Sequence, residues 1–245
     1  AGAIVAALDD EAPSVRFAAA VAAGQAGIPQ ARPKLVRLLD DPDARVHPGA
    51  IFGLHMLGQK QYSRRLEQLA RDNDPGVRGN VAFVLGLMNE PTAVNPLRGM
   101  QSDLSPLVRI QAAEALWAYG DDRGKDVLMG YSISRFADDQ MDALWALSAS
   151  PNVRVLPLLR GKLTDDYPEI GLTAARALGR LGMDDGYGVA VAHARAKEPL
   201  RRMLAALAFG EIGRLDAQPH LAPLLGDTDP RVRLAAATAV LRLNR

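Results

Sequence analysis

Residues 165–182 read DDYPEIGLTAARALGRLG, and residues 227–243 read DTDPRVRLAAATAVLRL. Each stretch opens on an aspartate-rich turn, reaches a proline three residues later, and continues with apolar residues at the spacing of one helical face. Proline is tolerated in the first turn of a helix, because its missing N–H has no acceptor there, and the aspartates cap the same end. Both stretches therefore predict a helix that begins at the proline.

The same unit recurs every 31 residues along the whole chain. The proline column reads Pro13, Ala44, Pro75, Pro106, Ala137, Pro168, Pro199 and Pro230. A second column contains the glycines Gly27, Gly58, Gly120, Gly182 and Gly213. Glycine suits the left-handed conformation of the residue just after a helix. The segment after each glycine is long enough for a shorter second helix, and no segment shows the alternation typical of strands. The sequence predicts an all-α fold of helical hairpins.

We predict one repeat domain over residues 1–245, because a single hairpin cannot bury its apolar face and must stack on its neighbours. The chain ends carry apolar residues where a polar cap is usual, so we expect either further sequence or a partner docked on an end. The eight repeats are expected at about 1–27, 28–58, 59–89, 90–120, 121–151, 152–182, 183–213 and 214–245.

The unit Asp-x-x-Pro-x-Val-Arg-x-x-Ala-Ala-x-Ala-Leu-Gly-x-Leu-Gly resembles the HEAT-like repeat of the phycobilisome-lyase type. This resemblance extends over the whole chain and implies a right-handed α-solenoid, a superhelix with the proline-column helices on its concave side. It also implies a hydrogen-bonded ladder between adjacent repeats. The ladder columns include Asp10, Arg16, Asp41, Asp72, Arg78, Asp103, Arg109, Asp227 and Arg233.

In the helices that begin at the proline column, five repeat positions lie opposite the apolar face that is expected to pack against the shorter helices. Half of the side chains at these positions are apolar. An apolar groove of this kind is typical of a surface that binds a helix or extended segment of another protein. A tight superhelix that buries the same residues in its own interior is the alternative. The residues predicted to line the groove are Phe17, Val21, Phe52, Met56, Phe83, Leu87, Ile110, Met141, Trp145, Met203 and Leu207.

Charge and hydropathy disfavour a nucleic-acid partner and a membrane span. The chain has 29 Lys and Arg against 28 Asp and Glu, a net charge of +1. Because basic and acidic side chains are equally frequent in the groove columns, the basic stripe that binds phosphates is missing, and we predict no nucleic-acid partner. No apolar run is long enough to cross a membrane.

Catalytic and metal-binding motifs are absent from the sequence. The chain has no cysteine, which excludes thiolate metal sites and a cysteine nucleophile, and its four histidines are scattered. The lack of any His-Glu pair separates it from the di-iron hydroxylase built on HEAT-like repeats. We therefore predict no catalytic residue, no metal site and no cofactor, while the cellular compartment stays open.

The favoured function is a non-enzymatic scaffold for protein interactions. The alternative is an enzyme like the bilin lyases, or a tetrapyrrole chaperone, in which Arg45, Arg176 and Arg180 would bind propionates. A DNA-repair glycosylase of HEAT-like fold is disfavoured by the neutral groove. Two departures from the repeat, at Pro48 and around Ser134, are predicted as contact or hinge sites, with drift in the repeat as the alternative.

Overall fold

The protein is a repeat of helical hairpins. In the computed structural model, which describes residues 1–244, helices account for 73% of the chain and these residues include no β-strand. The predicted all-α repeat fold is confirmed, while the handedness of the superhelix stays a prediction. Among the described residues, none of the helices has the length and apolar character needed to cross a membrane.

The described chain forms two compact units that divide between Gly124 and Lys125. In the first unit the helices are α1 (Gly2–Ala7), α2 (Pro13–Gln25), α3 (Arg32–Leu38), α4 (His47–Met56), α5 (Arg65–Leu69), α6 (Pro75–Met88), α7 (Val94–Met100) and α8 (Pro106–Ala118). Helix α9 begins at the boundary. The helices from there on are α9 (Asp122–Tyr131), α10 (Ala137–Leu147), α11 (Leu156–Lys162), α12 (Pro168–Arg180), α13 (Tyr187–His193), α14 (Pro199–Ile212), α15 (Gln218–Leu224) and α16 (Pro230–Leu243).

The even-numbered helices form one row in each unit, because α2, α4, α6 and α8 pack in sequence, as do α10, α12, α14 and α16. The odd-numbered helices from α3 to α15 pack against this row through a column that is buried throughout and reads Leu35, Leu66, Leu97, Leu128, Leu159, Ala190 and Leu221. Apolar side chains between the rows form a continuous core within the first unit and another within the second. The repeat register runs through both units, so the single-domain organisation stays a prediction.

Helix ends follow the glycine column. Gly27, Gly58, Gly120, Gly182 and Gly213 all have positive φ, between 59° and 89°. Asn89 occupies the same column in the third repeat with φ of 52°, and asparagine is among the few other residues that adopt this conformation readily. Helices α2, α4, α6, α8, α12 and α14 therefore end one or two residues before this column, whereas α10, which has Pro151 at the column, ends earlier, at Leu147.

Pro48 shortens the second hairpin. Since a proline lacks the N–H that a helix interior needs, α4 begins at His47 with Pro48 in its first turn, and a 3₁₀ turn over Ala44–Val46 takes the place of the usual start. This departure from the repeat moves the start of the helix by three residues.

Candidate functional site

The even-numbered helices expose the face that is turned away from the odd-numbered row. In the first unit this face carries a groove made of two cavities of about 280 and 200 Å³. Both cavities are lined by Arg45 and Asn80, so they are adjacent to one another. The remaining lining residues are Pro13, Ser14 and Phe17 in the first cavity and Gly76, Gly79, Leu107 and Gln111 in the second. We call this surface the first-unit groove.

The polar groups of the first-unit groove are largely paired. Arg45 donates from Nε and Nη2 to the carboxylate of Asp43. These hydrogen bonds lower the pKa of Asp43 to about 2. Asn80 Nδ2 donates to the Arg45 carbonyl at 2.8 Å, and the Asn80 side chain lines both cavities, so its amide oxygen can accept a further hydrogen bond. The groove therefore offers hydrogen-bonding groups without an unpaired charge.

Apolar side chains form the walls of the first-unit groove and the surface beside it. Leu107 is 45% exposed, and Phe83 is 37% exposed with its ring 6.0 Å from that of Phe17. Gly79 forms part of the floor, since a Cβ added there would meet only Leu107, at 3.7 Å. Met56 is also exposed, and Leu87 is partly buried.

Three residues predicted to line a groove lie in the core instead. Val21, Phe52 and Ile110 are buried, Phe52 and Ile110 to 1% exposure. The even-numbered helices approach closely at glycines: a Cβ on Gly24 would lie 2.8 Å from the Cα of Gly53 and 3.4 Å from the ring of Phe52. The row therefore buries these side chains between its own helices. Their placement on an accessible groove was wrong.

The second unit has a different cluster on the corresponding face. The guanidinium carbon of Arg176 on α12 lies 3.6 Å from the centroid of the Trp145 ring on α10, and that of Arg180 lies 4.7 Å from it. Glu211 on α14 pairs with Arg242 on α16, and Arg176 Nε is 3.9 Å from the same carboxylate. We call these five residues the basic cradle.

Arg176 is the least satisfied member of the basic cradle. Its Nε is buried and makes no hydrogen bond, because 3.9 Å is too long for one. Burial lowers the pKa of Arg176, the Glu211 carboxylate opposes that effect, and the neighbouring Arg242 and Arg180 add to it. Arg176 and Arg242 thus share the Glu211 carboxylate in a partly desolvated place, with the Arg180 guanidinium nearby on the Trp145 ring.

The other groove residues of the second unit lie beside the basic cradle. Met141 and Met203 pack on a small buried cluster with Leu172, and Leu207 is partly buried on α14. Asp142 on α10 is exposed, yet its pKa is raised by the loss of solvent contact and by repulsion from Asp138 and Asp139. The face therefore has a basic side, an apolar middle and an acidic edge on α10.

The ladder residues pair between hairpins as an arginine fork. Arg16 donates from Nε and Nη2 to Asp41 of the next repeat at 2.8 and 2.7 Å, and from Nη1 to the Asp10 carbonyl of its own turn. Arg78 binds Asp103 and Arg202 binds Asp227 with the same geometry. Arg109 and Arg233 make the contact to their own turn, to the carbonyls of Asp103 and Asp227.

Two rungs of the ladder depart from this pattern. In the second repeat His47 replaces the arginine, and its Nε2 lies 2.8 Å from the Asp41 carbonyl oxygen. In the next repeat the Asp72 carboxylate accepts a hydrogen bond from the N–H of Asp74. In the fifth repeat Gln140 donates to the Ser134 carbonyl and accepts from Lys162, which also binds Asp165. The departure around Ser134 thus keeps a rung built from an amide in place of a guanidinium.

A buried histidine joins the second and third hairpins. His55 Nδ1 lies 2.8 Å from the Ser63 hydroxyl, and its Nε2 lies 3.2 Å from the Glu90 carboxylate. Lys60 donates to the same carboxylate oxygen at 2.8 Å, so Glu90 is already neutralised. Within residues 1–244, no group of three or more His, Cys, Asp or Glu side chains is placed to hold a metal ion.

The basic cradle is the feature that sequence reasoning missed. Trp145, Arg176 and Arg180 were each identified, but the two arginines were placed in a bilin site with Arg45, which lies in the first unit and is paired with Asp43. The signal was available, because Arg176 and Arg180 are four residues apart and Arg176 occupies the Trp145 column of the next repeat. Positions in one column face the same way on neighbouring helices.

The family models that match this chain describe helical repeats, in agreement with the repeat seen in the sequence and the structure. A family model described as HEAT repeats matches residues 2–73 and 62–148, and one described as HEAT repeat matches residues 217–244. A search of curated protein sequences gives no match to the chain.

Three solved structures are similar in fold. Human deoxyhypusine hydroxylase is 19% identical with a TM-score of 0.48, over 99% of this chain and 95% of that one. The CpcE and CpcF complex of phycocyanin lyase from Nostoc sp. is 18% identical with a TM-score of 0.49, over 98% and 92%. YibA of Escherichia coli is 20% identical with a TM-score of 0.47, over 87% and 92%.

Proposed function

The chain belongs to the family of HEAT-repeat proteins, and from this premise we propose that it is a non-enzymatic scaffold that binds an extended segment of a partner protein in the first-unit groove. The observation that carries the proposal is the pair of adjacent cavities with apolar walls, a glycine floor and polar side chains that can form hydrogen bonds. A repeat fold alone does not specify a function, so the proposal depends on this surface.

An extended segment suits the groove for a geometric reason. Alternate side chains of an extended chain point to the same side, so two of them can enter cavities that follow one another. The intervening peptide groups can then meet the Asn80 amide oxygen and the Gln111 side chain. Gly79 keeps the floor low enough for a main chain to approach.

The chemistry of the groove favours an apolar, uncharged segment. Leu107 and the Phe17–Phe83 pair supply exposed apolar area, and burial of such area is the main source of affinity at protein interfaces. Arg45 is held by Asp43, so a phosphate or carboxylate would have to compete with an existing ion pair. We therefore expect the partner segment to present leucine-like or aromatic side chains.

The test uses the full chain and a library of random twelve-residue peptides. We expect the enriched peptides to carry two apolar residues at alternate positions, and their affinity to fall about tenfold or more in Leu107→Ser, because one wall is lost. Leu104→Ser is the matched control, since Leu104 is 95% exposed and lies outside the groove. Fluorescence polarisation of the labelled peptides measures both variants.

A blocking variant separates loss of contact from loss of fold. Gly79→Leu adds a side chain on the groove floor beside Leu107, where an added Cβ would lie at an ordinary van der Waals distance of 3.7 Å, and it replaces a helical glycine, so we expect the chain to fold and peptide binding to be abolished. Failure to enrich any peptide, or equal affinities in Gly79→Leu and the wild-type chain, would contradict the proposal.

A further inference from the structure

The basic cradle of the second unit combines cationic charge, an aromatic face and partial burial. Its three arginines and one glutamate leave two positive charges without a partner among the described residues, since Arg176 and Arg242 share Glu211 and Arg180 contacts only the Trp145 ring. Bringing a guanidinium out of water is costly unless hydrogen bonds to an anion compensate it. The buried Nε of Arg176 has no such bond.

Trp145 holds the arginines in place for a ligand. A guanidinium stacked on an indole ring is restrained in position, while its outer N–H groups stay free to donate in the ring plane. The Arg176 side chain remains 23% exposed and that of Arg242 41% exposed, so both are accessible from solvent. Such a set of planar, forked donors matches the oxygens of a carboxylate.

An apolar strip lies one helical turn from the basic cradle. The strip consists of Met141 and Leu207, both partly buried, which precede Trp145 and Glu211 by four residues on α10 and α14, so each lies on the same face as its cradle residue, while Leu172 on α12 is fully buried. Asp138 and Asp142 place negative charge on α10, at the edge of the strip. A ligand that uses both cradle and strip must carry apolar groups next to carboxylates.

From this arrangement we propose that the basic cradle binds an acidic segment of a protein partner, with glutamate or aspartate carboxylates between Arg176, Arg180 and Arg242 and apolar side chains on the strip. An acidic polypeptide segment can place several carboxylates next to apolar side chains along one chain, and the acidic edge on α10 repels the segment in the reverse orientation. The proposal takes from the proposed function only that the occupant is a protein segment. It concerns a separate surface from the first-unit groove.

The binding test uses the full chain and a fluorescein-labelled decaglutamate peptide, followed by fluorescence polarisation at low salt. We expect binding in the wild-type chain and a loss of about tenfold or more in Arg176→Gln and in Arg180→Gln, because each removes a charge-assisted hydrogen-bond donor. Arg195→Gln is the matched control, since it removes one exposed positive charge outside the cradle. A decaglutamine peptide controls for binding that needs no carboxylate.

A variant with the opposite effect protects the test against a trivial loss of folding. Glu211→Gln removes the one carboxylate that competes for the arginines, so decaglutamate should bind about threefold tighter or better. A folding defect would weaken binding, which makes the direction of change diagnostic. Affinity should also fall as salt is raised, because the contacts are ionic.

Three results would overturn the proposal. The first is that decaglutamate does not bind, and the second is that Arg195→Gln and Arg176→Gln lose equal amounts of decaglutamate affinity. The third is that inorganic phosphate, at the same concentration of charge, displaces the peptide, which would indicate a site for free oxyanions. Gly79→Leu should leave decaglutamate binding unchanged, so the outcome here and the outcome for the first-unit groove are separable.

Discussion

Arg78 donates two hydrogen bonds of 2.7 Å to the carboxylate of Asp103, which lies 25 residues further along the chain and in the next hairpin. The Nη1 group of the same guanidinium donates to the carbonyls of Asp72 and Asn73, so one side chain closes its own turn and binds the next repeat. The side chains of Arg78 and Asp103 are 14% and 13% exposed. The pair is therefore protected from much of the solvent screening that weakens surface ion pairs.

A double-mutant cycle measures this contact. We expect Arg78→Gln and Asp103→Asn each to lower the free energy of unfolding by about 1–3 kcal/mol, because each leaves a partly buried group unpaired. The coupling energy should be about 1–2 kcal/mol, as is found for residues in one hydrogen-bonded network. Urea unfolding followed by circular dichroism gives all four values.

The exposed pair Arg37 and Asp9 is the control for this cycle. It also joins neighbouring hairpins, but its side chains are 68% and 51% exposed. We expect a much weaker coupling there, because solvent and salt screen the pair. Equal coupling in both cycles would contradict a special role for the partly buried fork.

The same contact predicts how stability changes with pH. The hydrogen bond from Arg78 holds the pKa of Asp103 below its usual value, and the Ser105 N–H and the charges of Arg78 and Arg109 act in the same direction against burial. Since the folded pKa is lowered, the stabilisation is complete above the unfolded pKa of about 3.9 and is lost as the pH falls through the folded pKa.

Comparison with Asp103→Asn isolates this effect. The wild-type chain should be the more stable one at pH 6, and the difference in unfolding free energy should shrink as the pH is lowered from about 4 towards 2. Urea midpoints at several pH values measure it. A difference that stays constant over this range would show that Asp103 acts through packing rather than through its charge.

The repeat made most of the fold predictable from the sequence. Proline, aspartate and glycine act locally, at helix ends, so their columns gave the hairpins without knowledge of packing. Even Asn89, which breaks the glycine column, keeps the left-handed conformation that the column requires. The proline occurs in six of the eight repeats and the glycine in five, so these local signals reinforce one another along the chain.

The columns of the repeat did not predict which side chains of the even-numbered helices are exposed to solvent. Phe52 and Phe83 occupy one column, yet Phe52 is buried and Phe83 is 37% exposed. The difference arises from the close approach of neighbouring helices at Gly24 and Gly53, which depends on contacts between repeats. The basic cradle likewise depends on side chains from four helices, so no single repeat contains it.

Two glycine substitutions test how closely the helices pack in the second unit. A Cβ on Gly179 would lie 2.7 Å from the Ile212 nitrogen and 2.9 Å from the Glu211 carbonyl carbon. Because main-chain atoms cannot yield as a side chain can, we expect Gly179→Ala to lower the free energy of unfolding by about 1–3 kcal/mol. Thermal unfolding by calorimetry measures the change.

Gly161→Ala is the matched control for this substitution. Gly161 lies in α11 with nothing within 4 Å of an added Cβ, so alanine should raise stability by about 0.5–1 kcal/mol through the loss of freedom in the unfolded chain. Opposite signs at the two positions are the expected result. A stabilising Gly179→Ala would contradict the close approach of α12 and α14.

Phe52 and Phe83 give the last prediction, because they separate the core from the exposed face within one column. Phe52→Ala removes a ring that is 1% exposed, and we expect a loss of about 3–5 kcal/mol in the free energy of unfolding. Phe83→Ala loses mainly its contact with Phe17, so a loss of about 1 kcal/mol is expected. Urea unfolding of both variants measures the difference. Similar losses would mean that Phe83 is also a core residue, and peptide binding lost in Phe83→Ala would then reflect unfolding instead of a missing contact.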